Sequence, residues 1–325
     1  SEYFISSYGN NDGIAALYFD NSDRINTYYD TSGSNPYGAV NQRKYRDVGA
    51  WMHIVWQVDA ITEVQKIWIN GVEESLDSGL NPPNFSYTMN QSGQLNTIGG
   101  AAWYPSGTGA NMYLAEIHFS DGNKYEPSDF AETNATTGQW VPKSPSITYG
   151  TNGYYLNFSD NSGTSATTLG KDTSGNSNNW TPNNFSVSAG AGNDSVTDTP
   201  TNNFCTFNPL DSHSNITLSE GNLVAAISSG FKLQKSTFFL SSGKWYWEIT
   251  CDDVFPAGFL GISDSTDSTN SQGGASSSSC MIRTNNGDKR IGGSESSYGS
   301  GISDGDVMIF ALDMDNGKFW AGKNG

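Results

Sequence analysis

Apolar side chains in this chain recur at every second position, and the runs that carry them end in Asn-Gly. "AWMHIVWQVD" (50–59) alternates. In "NMYLAEIHFSDG" (111–122), Tyr113, Ala115, Ile117 and Phe119 share one face, while Leu114, Glu116 and His118 take the other. A period of two belongs to β-strands. Asn-Gly closes "VQKIWING" at Asn70-Gly71 and recurs at Asn286-Gly287 and Asn316-Gly317, between apolar runs. The tightest hairpins favour this pair because both central turn residues need positive φ. No stretch sustains a 3.6-residue period, so little helix is expected. "EPSDFAET" reads as a single helical turn capped by Ser128 or Asp129.

Composition agrees with a turn-rich β protein. Charged residues are 15% of 325, aromatics 13%, and Gly, Ser, Thr and Asn are heavily used. Disordered chains lack such aromatic content. The formal net charge of −17 argues against nucleic acid as a partner. No apolar run approaches the ~20 residues of a membrane helix, so no membrane insertion is expected. Cys205, Cys251 and Cys280 form no Cys-x-x-Cys pair and read as small buried side chains. His53, His118 and His213 are scattered and read as ordinary strand or loop residues. Trp51, Trp56, Trp68, Trp245 and Trp247 fall in strand-like runs and are expected in cores.

These patterns predict an all-β chain with two β-sandwich, jelly-roll-like domains at 1–122 and 230–325. Between them, 123–229 is an irregular Ser/Thr/Asn/Gly-rich connector. It carries Trp180 and Phe185, so parts of it are expected to fold against a neighbour rather than act as a free linker. Val307–Leu312 is apolar on both faces and predicts an inner strand, paired with Lys318–Ala321 across Asn316-Gly317. Both ends read as truncated. The chain begins directly on strand-like sequence and closes on Asn324-Gly325, a turn with no strand after it. The natural protein is therefore expected to be longer at its C-terminus, or to receive the missing strands from another chain.

Two resemblances add to this reading. "GKWYWEI", "GFLGIS" and the terminal "GD…LD…GK…NG" pattern match at Gly243, Trp245, Tyr246, Glu248, Gly261, Gly305, Asp306, Asp313, Gly317, Asn324 and Gly325. This part resembles a SPRY domain, which implies a β-sandwich that binds partners through loops and has no catalytic role. "YRDVGAWMHIVWQVD" (45–59), "KIWINGVE" (66–73), "NTIGG" (96–100) and "YLAEIHFSDG" (113–122) resemble a laminin-G-like, concanavalin-A-like sandwich. The stretch from Tyr154 to Phe185 is similar to the loop motif that opens related lectin-like sandwiches. The combination resembles large virion proteins of marine bacteriophages.

Laminin-G-like, concanavalin-A-like sandwiches include glycan hydrolases, which need two carboxylates flanking the sugar bond. The alternating Glu-x-Asp-x-x-Glu pattern that such a site needs on one strand does not occur: Glu116 has no second acid two or four residues on, and Glu73 and Glu74 point to opposite faces. No enzyme is expected. Related sandwiches bind calcium through loop oxygens, and Asp160, Asp172 and Asn176 supply such oxygens at short spacing. The same residues also suit Asx-turns, in which Asp and Asn bond their own backbone. Trp103 and Tyr104, in "GGAAWYPSGTG", are candidate ligand-binding aromatics, and local packing is the alternative.

The resulting expectation is a viral structural protein, a bacteriophage tail-fibre or surface-appendage component located in the virion. It would present loops to a host-surface glycan or protein, with other virion subunits as partners in a homo-oligomer. The alternatives are an architectural virion protein without ligand, a secreted or cell-surface bacterial adhesin, and a glycan hydrolase.

Overall fold

The computed structural model describes residues 1–9, 13–30, 37–59, 61–77, 89, 91, 93–104, 109–136, 138–188, 193–254 and 257–325. The chain is all-β and forms two compact units, Ser1–Phe204 and Cys205–Gly325. The division falls inside the stretch expected to be a connector. Its first part joins the first unit, and its last part supplies a hairpin to the second.

In the first unit, β1 (Glu2–Tyr8), β2 (Ile14–Phe19), β3 (Ile25–Asp30) and β4 (Tyr37–Val40) pair antiparallel in sequence order. β5 (Ile54–Asp59), β6 (Val64–Ile69) and β7 (Val72–Glu73) make a separate three-stranded sheet. β8 (Leu95–Ile98) then adds to the free side of β1 and completes a five-stranded sheet. Alternation decides which side chains meet. Leu17 and Ile25 of the larger sheet pack on Ile67 and Ile69 of the smaller, flanked by Phe4, Phe19, Ile54 and Trp56. This face-to-face packing is β-sandwich-like. Because Leu17 and Phe19 face inward, Tyr18 must face outward. The turn from β6 to β7 has Asn70 at φ 50° and Gly71 at φ 81°, the twist that a two-residue hairpin needs.

A further layer includes β9 (Ile117–Phe119), α1 (Pro127–Phe130), β10 (Ala131–Thr133), β11 (Trp140–Pro142) and β12 (Tyr154–Leu156). β9 pairs with β12, and β10 with β11. The strand expected from Asn111 begins only at Ile117, because Glu116 takes φ 52°, which breaks the extended run. Glu126, not Ser128 or Asp129, holds the N-cap position of the helical turn, and Asp129 serves it from the third helical position. Pro127 opens it, and Asp129 Oδ2 accepts the Glu126 N–H at 2.7 Å.

The second unit opens with the hairpin β13 (Ile216–Ser219) and β14 (Val224–Ile227). Its main strands are β15 (Lys244–Thr250), β16 (Phe259–Ile262), β17 (Cys280–Arg283), β18 (Lys289–Ile291), β19 (Ser294–Ser296), β20 (Val307–Asp313) and β21 (Lys318–Lys323). One sheet runs β15-β20-β21 and the other β16-β17-β18-β19. Phe310 is fully buried, with its ring 5.3 Å from Trp247 and 5.7 Å from Phe319. Ile282 and Leu260 approach this cluster from the other sheet. Val307–Leu312 is the central strand of its sheet, as its apolar pattern predicts, and it pairs with β21. Met308, Phe310 and Leu312 are buried, whereas Val307, Ile309 and Ala311 are half-buried.

Three local expectations are corrected. At Asn286-Gly287 and Asn316-Gly317 only the glycine has positive φ. Asp313 Oδ1 accepts the Asn316 N–H at 3.1 Å, which stabilises a longer loop in place of the two-residue turn. Trp245 is exposed rather than in the core; it packs edge-on against Phe238 and donates Nε1–H to Ser242 O at 2.8 Å. Cys251 is buried and Cys280 half-buried, but Cys205 is exposed.

Candidate functional site

The outward side chains of the five-stranded sheet form an aromatic ladder. Tyr3 and Tyr18 are direct cross-strand partners, with rings stacked at 5.1 Å and 27°. Trp103 meets Tyr3 edge-on at 5.1 Å and 87°. Tyr28 pairs with Ala16, one outward position from Tyr18, and donates its hydroxyl to Asp30 Oδ2 at 3.3 Å. Such pairs contribute about 0.5–1.5 kcal/mol each beyond burial. Tyr3, Tyr18, Tyr28 and Trp103 are nevertheless half-exposed, and Tyr104 is 65% exposed.

Ser6 sets the position of Trp103. It is fully buried on the outward face of β1, donates Oγ–H to Gly100 O at 2.8 Å, and accepts the Ala102 N–H at 2.8 Å. Gly99 N–H also donates to Phe4 O at 3.0 Å. The segment after β8 is thereby fastened across β1, which carries Trp103 over Tyr3. Residues 105–108 of the same Gly-rich stretch lie outside the described residues.

Carboxylates border the ladder. Asp20 accepts the Ser22 and Arg24 backbone N–H groups and pairs with the Arg24 guanidinium at 2.8 Å. Burial alone would raise its pKa, but these bonds and that of the Asn26 side chain hold it down at about 2. A group ionised so firmly is a poor general acid or base near neutral pH. Burial raises the Tyr18 hydroxyl, and Tyr3, Asp20 and Tyr28 raise it further. The phenols therefore remain hydrogen-bond donors. The ladder offers ring faces, hydroxyls and fixed negative charge: the means of holding a polyhydroxylated ring by stacking and hydrogen bonding. Sequence reasoning singled out Trp103 and Tyr104 but missed Tyr3, Tyr18 and Tyr28. The alternation Leu17-Tyr18-Phe19 carried a usable signal for Tyr18.

The residues considered for calcium are distributed differently. Asp172 is 6% exposed, and its carboxylate already receives four donors. Oδ1 takes the Tyr155 and Ser174 N–H groups, and Oδ2 takes Ser174 Oγ–H and the Asn178 N–H, all within 2.8–2.9 Å. Asn176 Nδ2 donates to Gly150 O and Gly153 O. Asp160 is bonded to Ser162 N and Oγ, an Asx-turn. A cation at Asp172 would have to displace N–H donors that this loop supplies to both oxygens. No three His, Cys, Asp or Glu side chains gather to hold a metal among the described residues.

His53 and His118, 65 positions apart, share one aromatic layer around Phe130, at ring distances of 6.5 and 5.3 Å. Trp140 Nε1–H donates to His53 Nδ1 at 2.9 Å, which fixes that nitrogen as the acceptor. His118 stacks on Tyr155 at 4.1 Å, and its Nδ1 is 2.8 Å from Tyr149 Oη. Tyr155 in turn hydrogen-bonds the Glu116 carboxylate. Burial lowers the pKa of both histidines, with that of His118 at about 4. His213 accepts the Asn215 N–H at 3.1 Å in its own turn. No family model matches this chain, and no curated protein matches it.

Proposed function

We propose that the chain is a surface-recognition protein whose first unit binds glycan on the aromatic ladder, as a component of a virion appendage. The observation that carries the binding role is the half-exposed Trp103–Tyr3–Tyr18 stack with Tyr28, bordered by Asp20 and Asp30. Isolated surface aromatics are common, but a contiguous row flanked by hydrogen-bonding groups suits a ligand with both apolar and polar edges. Asp20 is ionised and already paired, which favours binding over hydrolysis. The appendage setting rests on the sequence resemblances, and there weak single contacts gain strength by copy number in a homo-oligomer.

A screen of the full chain against neutral and acidic oligosaccharides tests this reading, followed by titration calorimetry on any hit. Tyr18→Ala and Trp103→Ala are expected to weaken binding about tenfold or more, the loss of roughly 1.4 kcal/mol or more. Binding unchanged in both variants, with the sheet intact by circular dichroism, would remove the ladder as the site.

The architectural reading has its own support in the second unit. Across the outer face of β15-β20-β21, Tyr246 and Trp320 flank Ala311 and are 62% and 48% exposed. An apolar row of this kind suits contact with another subunit.

A further inference from the structure

Cations are scarce in this chain, with 16 Lys and Arg against 33 Asp and Glu, yet Arg283, Lys289 and Arg290 fall within eight residues. The β17–β18 hairpin brings the two arginines to one ring: their guanidinium carbons lie 5.8 and 5.1 Å from the centroid of Phe259. They share one carboxylate. Glu295 Oε2 takes Arg283 Nη1 at 2.7 Å, and Glu295 Oε1 takes Arg290 Nη1 at 3.5 Å. Arg290 Nη1 also donates to the neutral Gln272 Oε1 at 2.8 Å. Two positive groups therefore face one negative group. Asp288 in the same turn accepts Asn286 Nδ2–H, and the Lys289 ammonium lies over Tyr298, 5.9 Å from the ring centroid.

The cluster is built into the fold rather than loose on the surface. The Arg283 and Arg290 side chains are 30% and 15% exposed. A Cβ at Gly274, which has φ 68°, would come within 3.3 Å of the Arg290 stem, so glycine leaves that stem its place. The Nε groups of both arginines are buried and donate to no described group. Each guanidinium has five N–H donors in a planar fork; the Nε–H lies inside, and the Nη hydrogens that do not contact Glu295 or Gln272 can take an oxyanion. Partial removal from water strengthens such a contact. The excess of acid elsewhere in the chain opposes long polyanions, so the site suits one local anionic group.

The geometry points to Arg283 and Arg290 as a binding site for a single carboxylate or sulfate group of the kind carried by acidic saccharides. The site lies in the second unit and is independent of the aromatic ladder.

The test titrates the full chain with sodium glucuronate, sodium sulfate and neutral glucose, following the arginine Nε–H resonances by NMR. Saturation by an anion in roughly the millimolar range, with no response to glucose, is expected. Saturation by glucuronate alone assigns a carboxylate, by sulfate alone a sulfate ester, and by both the shared oxyanion chemistry. Arg283→Gln and Arg290→Gln should each weaken binding about tenfold or more. Arg283→Lys should weaken it too, because it keeps the charge but loses the fork. Should Arg290→Gln unfold, Arg283→Lys, at the more exposed arginine, carries the same test. Tyr18→Ala should leave this binding unchanged. No saturation by either anion at about 50 mM, or undiminished binding in folded Arg283 variants, would overturn the proposal.

Discussion

The loop around Asp172 and the core around Phe310 are ordered by opposite means. Phe310 is buried among Trp247, Phe319 and Met308, and its position follows from apolar area removed from water. The Asp172 loop has one ring contact at its end, Trp180 edge-on to Tyr154 at 5.0 Å, and its turn is made of polar residues. It is fixed by a carboxylate that four donors approach, and by Asn176 and Asn178, whose amides reach the carbonyls of residues 150, 151 and 153. The contrast shows that Ser/Thr/Asn/Gly-rich sequence need not be a linker. Short polar side chains can satisfy a backbone that no sheet ladder serves. One acid at the centre of such a loop takes the place that a large ring takes in a core.

If the comparison holds, each region should fail at its own centre. Phe310→Ala is expected to cost about 3–5 kcal/mol, as a cavity opens between the two sheets. Hydrogen exchange should quicken along β15, β20 and β21. Retained protection there would mean that the ring stack is not the centre of this core. Asp172→Ala is expected to cost about 2–4 kcal/mol, since it strands three part-buried N–H groups and the Ser174 hydroxyl at once. Exchange should quicken through residues 172–180, and unchanged protection in that stretch would erase the distinction drawn here. The smallest effect belongs to the histidine layer. His118 is held neutral, with a pKa near 4 against the ordinary 6.5. The unfolded chain takes up that proton first, so this contribution is complete above about pH 6.5 and is lost as pH falls towards 4. Down to about pH 5 the loss is on the order of 2 kcal/mol, read as a falling urea midpoint that His118→Gln should flatten.

Much of the fold was legible in alternation. The run 307–312 announced a central strand, and Leu17-Tyr18-Phe19 held the signal, not used in the sequence reading, of one ring facing away from the core. The partner of Tyr18 was not legible. Whether Tyr3 stacks on it depends on the register of β1, including the bulge between Tyr3 and Ile5. Trp103 and Tyr104 stood out because they are large rings in a Gly-rich stretch, but only Ser6 explains where Trp103 lies. Asp172 was visible as an acid with Asn and Ser neighbours, a pattern that fits a cation loop and a hydrogen-bonded turn equally well. Geometry decided how its oxygens are used.

By itself, the sequence determined what is local: strand period, turn residues and the low helix content, because these depend on neighbours within a few positions. The tertiary structure alone decided which distant residues meet. It brought His53 to His118 around Phe130, Tyr3 to Tyr18 and Trp103, and Arg283 and Arg290 to the ring of Phe259 with Glu295 contacting both. The physical reason is that pairing register and layer packing are set by burial summed over whole sheets, which no short window of sequence contains.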